Sequence, residues 1–333
     1  MPLPEHGGQL RAAVQAFNRP IEQWLDLSTA INPLAWPIPP LPASCWQRLP
    51  EPDDGLMEAA TAYYGTRNLV ACAGSQQAIQ ILPELRPRGT VAVLAPTYNE
   101  HAHCWQQTGH AVSEIELKQA DAVVDAVDVL VCVNPNNPTG VLVPRARLND
   151  WWSRLQKRGG WLVVDEAFAD ADSTQSLISE AGLPGLVVLR SVGKFFGLAG
   201  ARVGFLAAWA ELAAAFRARV GPWPVAHPSR EIVWQALLDV EWQAQARSRL
   251  FQDSRKLAEL LAGCGLPPAG GTVLFQWCPN AAAGSWYRAL AQRGVLVRLF
   301  EHPKALRFAL PGTPTSWRRL AQALEEVAAV CPT

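Results

Sequence analysis

The chain has 333 residues, with 29 Lys plus Arg, 29 Asp plus Glu and a formal net charge of zero. That length is about twice that of a common single domain, which predicts two domains or one large α/β body. Hydrophobic residues make up 49% and charged residues 17%, which supplies a core and excludes a disordered chain. With no net charge and no Lys/Arg run, nothing marks a nucleic-acid or anionic-membrane surface. No apolar run reaches the roughly 18 residues that span a bilayer; the longest candidate, Phe205 to Phe216, is interrupted by Glu211. The start, Met1-Pro2-Leu3-Pro4-Glu5-His6, lacks the basic and apolar stretches of a secretory signal, so a cytoplasmic enzyme is expected. The seven cysteines are scattered without a C-x-x-C pair, the pattern of reduced thiols packed as small hydrophobes.

Ten of the 27 prolines fall in the first 52 residues. Proline fixes φ and removes a backbone donor, so this stretch is expected to be an extended arm with one short helix near Leu10 to Phe17. From about residue 55, helical patterns near Leu56 to Tyr64, Gln76 to Leu82, Glu100 to Thr108 and Arg145 to Arg158 alternate with short apolar runs. These runs are Leu69 to Ala71, Val91 to Ala95, Val127 to Val133, Trp161 to Asp165 and Leu186 to Arg190. Such alternation predicts a mostly parallel sheet buried on both faces by helices. Past about residue 220 the texture becomes a long helix from Ser229 to Ala262 and a Gly270-Gly271 turn. A strand, a helix, short strands near Val295 and Leu306, and a terminal helix follow. The expected division is an arm over 1–54 that joins the smaller domain, a large domain over 55–220, and a small α+β domain over 221–333.

Polar residues gather where the predicted strands end, the position at which open α/β sheets bind ligands. Gly74-Ser75-Gln76 follows one strand and opens a helix, leaving backbone N–H groups that suit a phosphate or an ordinary cap. Asn134-Pro-Asn-Asn-Pro-Thr-Gly140 makes a stiff loop after the next buried strand. Asp165-Glu166 ends another, where a carboxylate in the sheet core needs a cationic partner. Ser191-Val-Gly-Lys194 follows the strand ending at Arg190, with Gly197-Leu-Ala-Gly-Ala-Arg-Val-Gly204 beyond it. A lysine in a cleft can lose its charge and form a Schiff base. A carboxylate opposite a pyridine nitrogen keeps that ring protonated, which makes pyridoxal phosphate an electron sink.

At these residues the chain resembles the fold-type I pyridoxal-phosphate enzymes of the histidinol-phosphate aminotransferase branch. The resemblance runs over most of the chain, through Gly-Ser, Asn-Pro-Thr-Gly, Asp-Glu-Ala, Ser-x-x-Lys and Gly-x-Arg-x-Gly in that order. It implies an α/β fold of the PLP-dependent transferase type, with a mostly parallel central sheet, helices on both faces and a smaller α+β domain. It also implies pyridoxal 5'-phosphate as cofactor, bound by the 55–220 domain. By the resemblance, Lys194 bears the cofactor, Asp165 meets the pyridine nitrogen and Asn137 the ring 3-oxygen. Tyr98 stacks on the ring, while Ser75, Gln76, Ser191 and Arg202 bind the cofactor phosphate.

His6-Gly7-Gly8, the run from Asp26 through Asn32 to Leu34, and Asp165-Glu-Ala-Phe168 narrow the resemblance to the threonine-phosphate decarboxylases of cobalamin biosynthesis. That group implies decarboxylation of L-threonine O-3-phosphate to (R)-1-amino-2-propanol O-2-phosphate, in a homodimer. His6, Gly7, Asn32, Arg298 and Arg307 are then expected to bind the substrate, two guanidinium groups suiting a carboxylate and a phosphate. The alternative is a histidinol-phosphate-type aminotransferase with a 2-oxo acid acceptor; a binding protein on the same fold is disfavoured by the intact Lys194 and Asp165. Three positions depart from the wider branch. Phe168 stands where transaminases usually carry Tyr, Leu49 where many relatives place a Tyr that reaches the partner subunit, and Gly193 where a hydroxyl residue is common. Glu100-His101-Ala-His103-Cys104 holds ligand-type side chains, but no second cluster completes a zinc site, so no metal is expected. Gly197, Gly200 and Gly204 do not match a dinucleotide fingerprint.

Overall fold

The computed structural model describes residues 6–331. The chain folds into two compact units, one of residues 36–137 and 142–244 and the other of residues 1–35, 138–141 and 245–333. The division runs elsewhere than the expected boundaries at 54 and 220: residues 36–54 and 221–244 fold with the larger unit. In chain order the strands are β1 (Leu25–Asp26), β2 (Leu69–Cys72), β3 (Thr90–Leu94), β4 (Ala111–Ile115), β5 (Val129–Val133), β6 (Trp161–Asp165), β7 (Leu186–Ser191) and β8 (Gly204–Ala207). They continue with β9 (Gly270–Thr272), β10 (Phe275–Pro279), β11 (Val295–Leu296), β12 (Arg298–Glu301) and β13 (Lys304–Ala309).

The larger unit is built on a seven-stranded sheet of order β2-β8-β7-β6-β5-β3-β4. Strands β7, β6, β5, β3 and β4 run parallel, while β8 is antiparallel to both of its neighbours. All five residues of β5 and of β6 are buried, as parallel strands covered on both faces must be. Alternate residues face opposite sides. Val91, Val93, Val129, Val131, Val163, Val187 and Leu189 join one core cluster with Ala78, Ile79 and Trp105, from the helices Ser75–Ile81 and Glu100–Gln107. Ala92, Leu130, Leu162 and Val188 on the other parity have no exposure, and the Arg145–Gln156 helix packs on β6.

Two strands of this sheet were not expected. The outer strand β4 has a mostly exposed face pattern, so Ala111-Val-Ser-Glu-Ile carries no apolar run to betray it. Strand β8 begins inside the Gly-x-Arg-x-Gly motif, whose glycines read as loop. The long helix expected from Ser229 to Ala262 is two helices, His227–Leu238 and Val240–Gly263. Asp239 leaves helical geometry, with ψ 76°. Its Oδ1 accepts the Trp242 N–H at 3.0 Å and its Oδ2 the Trp36 indole N–H at 2.9 Å. An aspartate that caps the next helix breaks the first one.

The smaller unit holds a four-stranded antiparallel sheet of order β12-β13-β10-β9 and a parallel pair of β1 with β11. The helix expected near Leu10 to Phe17 spans Leu10–Phe17 and packs Ala13 with Trp24, Ala291 and Leu296. The arm around it is less extended than its prolines suggest: a 3-10 turn at Ile21–Gln23 and β1 follow directly. Gly270 and Gly271, expected as a turn, lie in β9, and the reversal falls one step later, before β10. A Cβ at Gly270 would stand 2.3 Å from the Thr139 carbonyl oxygen, so close backbone approach, not turning, is what requires the glycine.

Candidate active site

In the larger unit the expected cofactor residues sit at or just after the carboxyl ends of β2, β3, β5, β6 and β7, with Arg202 just before β8. β2 runs into Gly74, at φ 75° and ψ 160°, and then into the Ser75–Ile81 helix. A Cβ on Gly74 would come within 2.6 Å of the Arg202 Nη2, so glycine leaves open a cradle floored by the helix start and walled by a guanidinium. Arg202 itself holds φ 53°, the left-handed region that costs a non-glycine residue about 1–3 kcal/mol. Backbone N–H groups of a first helical turn together with Arg202 form a donor set for a phosphate.

Tyr98 begins the next piece of the site. Its hydroxyl donates to the Gln76 Oε1 at 3.0 Å, and the Gln76 amide donates to the Glu100 Oε2 at 2.7 Å. Burial, then the carboxylates of Glu100 and Asp165, pushes the Tyr98 phenol above its ordinary range, so it stays a neutral donor. The Asn134–Val143 loop is closed by its first residue: Asn134 Nδ2 donates to the Val143 carbonyl at 3.1 Å, and the Val143 N–H to Asn134 Oδ1 at 2.7 Å. Asn136 then accepts from Thr97 at 2.8 Å and donates to the Pro96 carbonyl at 2.9 Å. These bonds fix Asn137, half-buried, beside the segment that carries Tyr98.

At the end of β6, Asp165 and Glu166 find different partners. The Asp165 Oδ2 lies 2.9 Å from the His101 Nε2, both side chains being almost fully buried. Its Oδ1 accepts the Ala167 N–H at 3.0 Å. Glu166 meets Arg190 at 2.9 Å, and Arg190 also reaches Asp170 at 2.9 Å and Ser176 at 2.8 Å. Burial works against the Arg190 charge, and Glu166 and Asp170 outweigh it, so its pKa rises. This network ties the ends of β6 and β7 together just before Ser191. Lys194 follows in the short Val192–Phe195 helix, its Nζ 5.6 Å from the centroid of the Phe168 ring, a cation–π distance.

The smaller unit gathers the residues expected to meet substrate. Arg298 on β12 and Arg307 on β13 are register partners. Arg307 is buried and donates to the Ser28 carbonyl at 2.6 Å; Arg298 donates to the His6 carbonyl at 3.4 Å. Gly7 packs on the Ser28 carbonyl, and the Gly8 N–H donates to the Ser28 Oγ at 2.8 Å. Asp26 in turn accepts from the Ser28 N–H and hydroxyl, at 2.9 and 2.6 Å. Asn32 is buried and turns the chain by accepting the Leu34 N–H at 3.1 Å. Two residues in this picture escaped the sequence reading: His101, dismissed with a cluster of ligand-type side chains, and Ser28, on which the arm and Arg307 converge. A signal for His101 existed, since it lies one helical turn beyond Tyr98. Among the described residues no group of three or more His, Cys, Asp or Glu could hold a metal ion.

Residues 47–324 match the aminotransferase class I and II family. The chain belongs to that family. Among its relatives, the threonine-phosphate decarboxylase of Pseudomonas aeruginosa is 49% identical over 320 residues, covering 96% of this chain and 97% of that one. A threonine-phosphate decarboxylase of a Sinorhizobium species is 38% identical over 97% of this chain and 98% of its own. Among solved structures, histidinol-phosphate aminotransferase from Sinorhizobium meliloti in complex with pyridoxal-5'-phosphate superposes with a TM-score of 0.80. It shares 20% identity and covers 98% of this chain and 95% of that one, a likeness of fold. As a member of the aminotransferase class I and II family, the chain has the expected α/β architecture, and the Gly74–Arg202 cradle, Asp165 and Lys194 together fit a phosphorylated pyridine aldehyde: an anion site, an acceptor for a ring N–H and an amine.

Proposed function

We propose that this chain is a pyridoxal-phosphate-dependent carboxy-lyase that converts L-threonine O-3-phosphate to (R)-1-amino-2-propanol O-2-phosphate and carbon dioxide, as a step of cobalamin biosynthesis. The observation that carries the reading is the 49% identity, over nearly the whole of both chains, to a threonine-phosphate decarboxylase. When bound, the cofactor supplies an electron sink for the bond that breaks at Cα. Ser75, Ser191 and Arg202 hold its phosphate, Asp165 keeps a proton on its ring nitrogen, Asn137 donates to its 3-oxygen and Tyr98 covers its ring. Lys194 supplies the amine that carries it.

Specificity for decarboxylation would rest on how this chain's own residues orient the substrate. Arg298 and Arg307 receive the anionic groups of the substrate, with His6, Gly7 and Asn32 as further substrate-binding residues, and so decide which bond at Cα is presented. The Cα–carboxylate bond breaks, carbon dioxide leaves, and a proton returns to Cα from the Lys194 Nζ. The reading includes a cytoplasmic homodimer. Leu49 and Trp223, 60% and 56% exposed, flank an apolar groove lined by Pro50, Pro52, Met57 and Val220 that a second copy would cover; sedimentation of the purified protein tests that part.

The reaction is tested by supplying L-threonine O-3-phosphate to the cofactor-loaded protein with and without 2-oxoglutarate. Carbon dioxide and aminopropanol phosphate are expected in both cases. Glutamate formed only when 2-oxoglutarate is present, with no carbon dioxide, would assign an aminotransferase instead. Lys194→Ala should still hold cofactor through the phosphate and Asp165 but lose the visible band of the lysine linkage.

A further inference from the structure

A separate group of basic side chains collects where the Ala283–Gln292 helix ends in the smaller unit. A cleft of about 570 Å³ opens there, its walls including Arg19, Arg293, Arg319, Gln322, Glu326 and Glu22. Its size falls in the range of small-molecule sites. Glu326 is engaged twice, accepting from the Arg293 Nε at 2.7 Å and from the Gln322 amide at 2.9 Å. Among the described residues, Arg19 and Arg319 meet only neutral acceptors. Arg19 donates to the Gln23 Oε1 at 3.0 Å and to the Gln292 carbonyl at 2.7 Å. Arg319 donates from Nη2 alone, to the Gly294 carbonyl at 2.9 Å and to the Gln23 carbonyl.

Among the described residues neither guanidinium pairs with a carboxylate, and Glu22, exposed at the rim, makes no ion pair. Burial, then the charge of Arg19, lowers the pKa of Arg319. Gly294 makes the approach possible. At φ 73°, a Cβ there would stand 2.5 Å from the Arg319 Nη2 and 3.0 Å from the Arg19 Cδ.

We propose that this cleft binds a phosphate-bearing dianion, inorganic phosphate or a small phosphate monoester, through Arg19 and Arg319. Two uncompensated guanidinium groups outmatch a single carboxylate, whereas a phosphate offers near-double charge and several acceptor oxygens to two planar forks. The site does not rest on the proposed reaction, because none of its residues belongs to the cofactor or substrate set.

Equilibrium dialysis of labelled inorganic phosphate against the cofactor-loaded protein tests it, with unlabelled ethyl phosphate as competitor. Saturable binding is expected. It should weaken about tenfold in Arg19→Gln and less in Arg19→Lys, and remain in Arg298→Gln. Glu326→Gln, which frees Arg293 and removes a negative wall, should tighten it severalfold. Displacement by ethyl phosphate at lower concentration than by phosphate itself would assign the ester; the reverse order would assign the free ion. Turnover of L-threonine O-3-phosphate should be unchanged in Arg19→Gln. No saturable binding to the wild type, or equal binding in Arg19→Gln and Glu326→Gln with native circular dichroism in both, overturns the proposal.

Discussion

The His101 Nε2 and the Asp165 Oδ2 lie 2.9 Å apart, 64 positions apart in sequence and 1% and 3% exposed. A buried carboxylate so held cannot swing, and its direction is set before any ligand arrives. His101→Phe keeps a ring of similar bulk and leaves Asp165 with the Ala167 N–H. Leaving one buried polar group short of a partner costs about 1–3 kcal/mol. Cofactor affinity, read by absorbance titration, should fall by roughly 10- to 100-fold. A lower melting temperature with unchanged affinity would show that the pair serves packing alone.

Gly74→Ala tests the phosphate cradle. The added methyl would meet the Arg202 guanidinium and force a conformation reserved for glycine, a strain of about 1–3 kcal/mol. Pyridoxal phosphate should bind more weakly, while pyridoxal, which has no phosphate, should be little affected. Equal losses for the two compounds would place the phosphate elsewhere.

Arg307 gives a pH dependence. Burial, then the charge of Arg298 on the neighbouring strand, pushes its pKa down to about 9. Only the cation attracts an anion, so affinity for threonine phosphate should be full below that value and fall as pH rises through it. Stability of the free protein runs the other way. From about 9 up to the ordinary arginine range the folded chain binds fewer protons than the unfolded one, so stability rises over that window. KM against pH in wild type and Arg307→Lys checks the first. Truncation to Ala should cost roughly 2–5 kcal/mol of substrate binding; near-normal KM in that variant would move the substrate to other residues.

Phe168 faces Lys194 with a ring and no hydroxyl. Where relatives carry Tyr, a phenol would donate to the cofactor's 3-oxygen and stabilise its ionised form. With Phe, on the proposed reading, Asn137 is left to do so, and the lysine linkage should be easier to protonate. Phe168→Tyr adds a hydrogen bond to a charged acceptor, worth about 1.5–3 kcal/mol. At 1.36 kcal/mol per unit, the apparent pKa of the linkage should drop by about one to two units. Coincident spectroscopic titrations of the two proteins would leave Phe168 a packing residue.

Most elements of the larger unit, and the order in which chemistry appears along it, are written locally in the chain. Apolar runs at Trp161–Asp165 and Leu186–Ser191 and the 3.6-residue pattern of Leu56–Tyr64 are local signals, written in the residues that form them. The motif residues Ser75, Asn137, Asp165, Lys194 and Arg202 were legible because each strand end carries its own turn chemistry. The tertiary structure decided who partners whom. Outer strand β4 shows little burial, and β8 is disguised by glycines, because exposure and close approach depend on neighbours distant in sequence. Asp165 meets His101 while Glu166 meets Arg190, a split that adjacent carboxylates cannot announce. Arg307 rests on Ser28, 279 positions away. Periodicity records which face of an element is apolar, but a hydrogen bond between elements exists only once strand order and register have brought its two ends together.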